Sequence, residues 1–103
     1  MLFAVWARDA KGMQAVRERV RPQHRGRLRE PAPHPIEVVL AGPLFDESGA
    51  HMNGTLLVVD ADAIDAVRAF VADDPYVAEG VYESYEILPW RCGLGPLAAA
   101  HRH

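Results

Sequence analysis

A change of hydrophobic period near the start of the chain most constrains how it can fold. Residues 2–8 are a short apolar run containing Val, Phe and Trp, which is typical of a strand buried on both faces. From Met13 onward the apolar stripe recurs at helical spacing instead. Its positions step by three or four residues: Met13, Val16, Val20, His24 and Leu28. Pro22 lies inside this pattern, so the helix either kinks there or restarts with Pro22 in its first turn.

The remaining patterns predict three more strands and one more helix. The strands are expected at residues 36–41, 55–60 and 82–88. The Gly-Pro step at 42–43 is expected to close the first of these. Ile64, Val67 and Val71 share one helical face, and this helix should stop before Pro75. The order β-α-β-β-α-β favours an α+β, ferredoxin-like fold, with two helices on one face of a four-stranded antiparallel sheet.

The first predicted strand is apolar on both of its faces. Phe3, Val5 and Ala7 point to one side, and Leu2, Ala4 and Trp6 point to the other. Residues 56–59 repeat the pattern in the third strand. Two helices can cover only one face of such a sheet, so the other face needs a partner. The sequence therefore predicts a homodimer formed through the open sheet face.

Composition narrows the function classes. A chain of 103 residues has room for one domain, expected at 1–91 and followed by a loose or partner-contacting tail at 92–103. The net charge of −3 argues against a nucleic-acid partner. The chain lacks an apolar run near the ~20 residues that a membrane span needs. The single Cys92 excludes an intrachain disulfide and fits a reducing, cytoplasmic setting.

His24 and Asp74 are the leading candidates for chemistry. His24 lies in the apolar stripe of the first helix, and Asp74 is directed inward at the end of the second. A contact between them would let the carboxylate fix the imidazole tautomer, so that the other ring nitrogen could move a substrate proton. The alternative is a structural histidine beside a helix-end turn residue.

Four short motifs resemble the YciI-like (YCII-related) family across residues 1–91. They are Arg21-Pro22-Gln23-His24, Ala41-Gly42-Pro43-Leu44, Asn53-Gly54-Thr55 and Asp74-Pro75-Tyr76. The resemblance implies a dimeric α+β barrel related to muconolactone isomerase, with an active-site pair that maps onto His24 and Asp74. A few such proteins are associated with dehydrochlorination or similar eliminations on oxidised aromatic rings. The chain departs from the family pattern at residues 31–35, where a proline-rich segment replaces the more usual helix end and Gly turn.

Three further residues are candidates for substrate binding. Arg21 could hold an anionic group, Thr55 could hydrogen-bond a substrate, and Tyr76, with Trp90, could line a pocket. Each has an ordinary structural alternative: an exposed helix Arg, β propensity, and a core or interface aromatic. The histidines outside the first helix show no zinc-site spacing, so neither a metal nor another cofactor is expected. They are His34, His51, His101 and His103.

The resulting hypothesis is a cofactor-independent enzyme that catalyses a lyase- or isomerase-type proton transfer, or an elimination, on a small cyclic metabolite. The first alternative is a non-catalytic dimeric module that binds or senses a small molecule through the same pocket. A second alternative is a dimerising partner of another protein, which it would contact through the sheet face or the tail.

Overall fold

The computed structural model describes residues 1–98. Its elements, in chain order, are β1 (Leu2–Asp9), α1 (Gln14–Arg29), β2 (Ile36–Phe45), β3 (Met52–Ala61), α2 (Ile64–Ala72), α3 (Pro75–Ala78) and β4 (Tyr82–Trp90). The strands form an antiparallel sheet in the order β2-β3-β1-β4. This confirms the predicted ferredoxin-like β-α-β-β-α-β arrangement.

Several elements differ from the sequence prediction. Strand β3 begins at Met52 instead of residue 55, and β4 ends at Trp90 instead of residue 88. Strand β2 continues through the Gly-Pro step to Phe45, because β2 is an edge strand and an edge position tolerates the missing amide of Pro43. The short turn expected after α2 is a four-residue helix, α3. Pro75 occupies its first turn and the Asp74 side chain caps it by accepting a hydrogen bond from the Tyr76 amide. Helix α1 is continuous across Pro22, which is exposed to solvent.

The main core lies between the helices and one face of the sheet, which we call the covered face. Its buried members include Phe3, Val5, Val59, Val67 and Phe70. The alternating side chains of β1 and β3 supply the sheet half of this core, and α2 supplies most of the helical half. Burial of this apolar surface is what holds α1 and α2 against the sheet.

The opposite face of the sheet, which we call the open face, exposes large apolar side chains. They are Trp6, Leu40, Leu56, Leu88 and Trp90. Cross-strand pairing of Trp6 with Leu56, and of Ala4 with Leu88, makes this surface contiguous. One corner is covered by the chain itself, because Cys92 and Ala98 pack against Leu2 and Val58. Residues 99–103 of the predicted tail lie outside the described residues.

Within residues 1–98, no helix combines the length and the apolar character that crossing a membrane requires.

Candidate functional site

The site is built around a contact between α1 and the turn that precedes α3. The Nδ1 atom of His24 lies 2.8 Å from Oδ2 and 3.0 Å from Oδ1 of Asp74. The two side chains are almost fully buried, so neither can rely on water as its hydrogen-bond partner. The contact expected between these residues from their places in the helical patterns is therefore present.

The Asp74 carboxylate is held in place from three directions. Oδ1 accepts a hydrogen bond from the Tyr76 amide at 2.8 Å, which is the capping interaction of α3. Oδ2 lies 3.3 Å from Nη1 of Arg27, whose Nη2 donates to the carbonyl of Phe70 at 2.8 Å. Together with His24, these contacts compensate the burial of a carboxylate and fix its orientation.

The His24 ring is oriented so that only one nitrogen is engaged by the protein. A carboxylate at Nδ1 favours the tautomer in which Nδ1 carries the proton and donates it. The Nε2 atom makes no hydrogen bond to any of residues 1–98. The ring is stacked on Tyr76, with centroids 4.0 Å apart and planes inclined by 15°. Nε2 is thus the ring nitrogen left for a ligand.

Arg17 forms a second buried network, which the sequence analysis missed. Its Nη1 donates to both Asp9 carboxylate oxygens at 2.9 and 3.0 Å. Its Nη2 donates to the Gly54 carbonyl and to the Thr55 hydroxyl, each at 2.9 Å. The guanidinium carbon lies 4.6 Å from the centre of the Tyr76 ring. Tyr76 therefore contacts both networks.

Helical spacing was the available signal for Arg17. It lies seven residues before His24, so the two side chains share one face of α1. A charged side chain on a helix ordinarily faces solvent, whereas Arg17 is 4% exposed. Its Nε is buried without a hydrogen-bond partner among the described residues.

Burial shifts three acidic groups around these networks. It raises the pKa of the Asp9 carboxyl, and the Arg17 guanidinium opposes that shift. It also raises the pKa of Tyr76, again against the opposing effect of Arg17. The pKa of Tyr82 is raised by burial, with a hydrogen bond to Thr55 acting in the opposite direction. Both phenols therefore stay protonated at neutral pH.

A cavity of about 400 Å³ opens beside His24. Helix α1 lines it with Arg17, Arg21, His24, Arg25, Leu28 and Arg29. The facing wall consists of Val38, Ala41, Gly42 and Pro43 of β2, and Thr55 and Tyr76 complete the lining. Asp74 stands behind His24 and is 3% exposed. The volume is within the range of small-molecule sites.

The structure brings together all five predicted site residues. His24, Arg21, Thr55 and Tyr76 line the cavity, and Asp74 contacts His24 from behind. Trp90 does not line this cavity, because its position in β4 puts it on the open face opposite Leu2, which agrees with the interface alternative. The unusual segment 31–35 contributes nothing to the cavity wall among the described residues.

Within residues 1–98, no three His, Cys, Asp or Glu side chains come together in a way that could hold a metal ion. Two further histidine–carboxylate contacts in this part of the chain, His34 with Asp73 and His51 with Asp46, lie near the surface.

Comparison with known proteins identifies the family. Residues 1–91 match the model of the YCII-related domain, and the chain belongs to that family. It is 30% identical over 96 residues to the protein YciI of Escherichia coli, an alignment covering 88% of this chain and 97% of YciI. It is 27% identical over 95 residues to an uncharacterized protein of Haemophilus influenzae, again covering 88% of this chain and 97% of the relative.

A solved structure of an enzyme shares the fold. It is the 5-chloro-2-hydroxyhydroquinone dehydrochlorinase of Burkholderia phenoliruptrix, in complex with 2,5-dihydroxybenzoquinone. The TM-score is 0.75 with 27% sequence identity, and the match covers 90% of this chain and 96% of the dehydrochlorinase.

Proposed function

We propose that this chain is a cofactor-independent enzyme of the lyase or isomerase type that acts on a small cyclic compound bearing hydroxyl or carbonyl groups. The observation that carries the proposal is the buried His24–Asp74 hydrogen bond beside a cavity of small-molecule size. The similarity to a dehydrochlorinase supports the reaction class. The proposal includes a cytoplasmic location, where the free Cys92 would stay a thiol.

In the proposed mechanism His24 moves a proton and Asp74 controls how it does so. Asp74 accepts the Nδ1 proton, which leaves the Nε2 lone pair facing the ligand. In an elimination, Nε2 takes a proton from a ring hydroxyl of the keto tautomer, in which the chlorine-bearing carbon carries a hydrogen and is tetrahedral. The O–H electron pair forms a C=O bond, the adjacent C=C electrons shift to form a double bond to the chlorine-bearing carbon, and chloride leaves with the electrons of the C–Cl bond. The imidazolium is stabilised by the adjacent carboxylate until it gives the proton to water.

Three cavity residues would bind and orient the substrate. Arg21 supplies a cation for a developing or resident oxyanion. The Thr55 hydroxyl accepts a hydrogen bond from Arg17, which fixes its position in the cavity lining, and a substrate oxygen would compete with Tyr82 for its proton. Tyr76 supports the His24 ring by stacking and forms part of the cavity lining.

The test is chloride release from 5-chloro-2-hydroxyhydroquinone, followed for the unchanged protein and for His24→Gln and Asp74→Asn. We expect each substitution to lower kcat/KM by about 10²- to 10⁴-fold. The chain offers a matched control, because His34 and Asp73 form a second His–Asp pair at 2.8 Å that lies outside the cavity. His34→Gln and Asp73→Asn should leave the rate unchanged. Turnover that survives in both His24→Gln and Asp74→Asn would contradict the mechanism.

The second candidate function is a non-catalytic dimeric module that binds or senses a small molecule. The observation in its favour is the row of arginines along the cavity, which suits retention of an anion as well as it suits catalysis. Binding of 2,5-dihydroxybenzoquinone by calorimetry, without turnover of the chlorinated hydroquinone or of related cyclic substrates, would decide for this alternative.

We also propose that the functional unit is a homodimer joined through the open face. Trp6 and Leu88 are each 54% exposed there, and large exposed apolar patches usually mark an interface. Light scattering should give twice the mass of one chain, and Trp6→Glu should give the mass of one chain with its circular dichroism retained. Arg68→Glu, an exposed change on α2, is the control. A stable monomer before any substitution would disprove the dimer.

A further inference from the structure

Helix α1 presents a row of arginines to the cavity at a spacing of four residues. The row consists of Arg17, Arg21, Arg25 and Arg29. Residues four apart on a helix are neighbours on one face, so the four side chains form a single strip. The strip continues past His24 toward the carboxyl end of the helix.

The arginines of α1 differ in whether a carboxylate neutralises them. Arg17 is paired with Asp9, Arg27 with Asp74, and Arg19 approaches Glu79 at 3.8 Å. Within residues 1–98, by contrast, no carboxylate oxygen lies within 4.0 Å of Arg21, Arg25 or Arg29. The same part of the chain contributes no Asp or Glu to the cavity lining. This wall of the cavity therefore carries a net positive charge although the whole chain is negative.

The wall that faces the strip has the opposite character. Val38, Ala41 and Pro43 of β2 supply small apolar surface, and Leu28 of α1 adds to it. A ligand that satisfies both walls has a flat apolar body with an anionic group on one edge. Guanidinium groups bind carboxylates in a two-pronged geometry, which favours a carboxylate as that group.

We propose that Arg25 and Arg29 determine specificity by holding a carboxylate on the ring substrate, separate from the ring oxygen that faces His24. The substrate class is thereby a carboxylated hydroxy- or oxo-ring compound. This inference extends the proposed function of the cavity, but it concerns which molecule binds and not how the proton moves.

The test compares two probes that share a ring and differ by one carboxylate, 2,5-dihydroxybenzoate and hydroquinone, by isothermal titration calorimetry. We expect the carboxylated probe to bind about tenfold more tightly or better, as charge-assisted hydrogen bonds allow. The double variant Arg25→Gln, Arg29→Gln should remove this preference, and each single variant should reduce it. Raising the salt concentration should reduce it as well, because both arginines are exposed.

Arg19→Gln is the matched control, since Arg19 is an exposed arginine of the same helix that does not line the cavity. It should keep the full preference. Equal binding of the two probes, a preference that survives in the double variant, or no binding of either probe at millimolar concentration would each overturn the inference.

The outcome is separable from that of the proposed catalytic function. His24→Gln should retain the preference for the carboxylated probe even where it abolishes turnover. A charge preference in a protein without turnover would leave the assignment of Arg25 and Arg29 standing and would count against the enzyme.

Discussion

The two faces of the sheet contain different kinds of energetically unfavourable group: buried charges on the covered face and exposed apolar side chains on the open face. The covered face buries two charged networks, Arg17 with Asp9 and His24 with Asp74, and engages nearly every polar atom in them. The open face leaves large apolar side chains such as Trp6 and Leu88 in contact with solvent. Burying charge is tolerated only where partners are fixed in place, whereas exposed apolar surface costs little locally and favours association.

This difference teaches where the specificity of the fold resides. On the covered face the identity of each partner residue matters, because each buried polar group depends on a hydrogen-bond donor or acceptor from another element. Arg17, for example, joins α1 to the end of β1 and to the start of β3. On the open face any apolar side chain of similar size would serve the same purpose.

The substitution expected to destabilise the covered face most is Arg17→Met. It leaves Asp9 buried without its cation and removes the bonds to Gly54 and Thr55, so the free energy of unfolding should fall by about 3–5 kcal/mol. Urea denaturation measures this. Arg19→Met, which removes an exposed pair on the same helix, should cost less than about 1 kcal/mol. Similar losses for the two variants would contradict the interpretation, and adding Asp9→Leu to Arg17→Met should restore part of the stability.

The second comparison uses two positions of β3 that point to opposite faces. Val59 is fully buried in the core and Leu56 is 39% exposed on the open face. Val59→Ala should cost about 2 kcal/mol or more, and Leu56→Ala about 1 kcal/mol or less at concentrations where the chain is monomeric. The loss for Leu56→Ala should grow once the concentration permits dimers. A constant loss at all concentrations would count against an interface on this face.

The smallest effect concerns two glycines near the rim of the open face. A Cβ on Gly54 would collide with the Ala7 carbonyl oxygen and press on Leu44, so Gly54→Ala should cost about 1–3 kcal/mol. At Gly42, nothing among the described residues lies within 4 Å of such a Cβ, and Gly42→Ala should change stability by less than about 1 kcal/mol. Thermal denaturation of the two variants side by side provides the check, and equal Tm values would show that the strand pairing at Gly54 is not tight.

Much of the fold could be predicted from the sequence because it depends on local hydrophobic periodicity. The helical stripe that carries His24 and the proline that ends α2 beside Asp74 sufficed to predict their contact. The length of β2 was not readable, since a Gly-Pro step ends a central strand but not an edge strand. The edge position is a property of the whole sheet.

The second network was missed for a related reason. Arg17 shares a face with His24, yet its partners come from two strands that are far apart in sequence. Which strand residues stand beside a given turn of α1 depends on sheet register and on how the helix crosses the sheet. A local stretch of sequence determines neither the sheet register nor the crossing of the helix over the sheet.

The position of Pro22 has a consequence for the motions of α1. Proline has no amide hydrogen, so the carbonyl of Glu18 lacks the donor that the helix would otherwise provide. The backbone hydrogen bonds of α1 are thereby interrupted between two halves of the helix. The earlier half is bonded to β1 through Arg17, and the later half is bonded to the N-cap of α3 through His24. Amide hydrogen exchange should resolve these halves as two blocks with different protection.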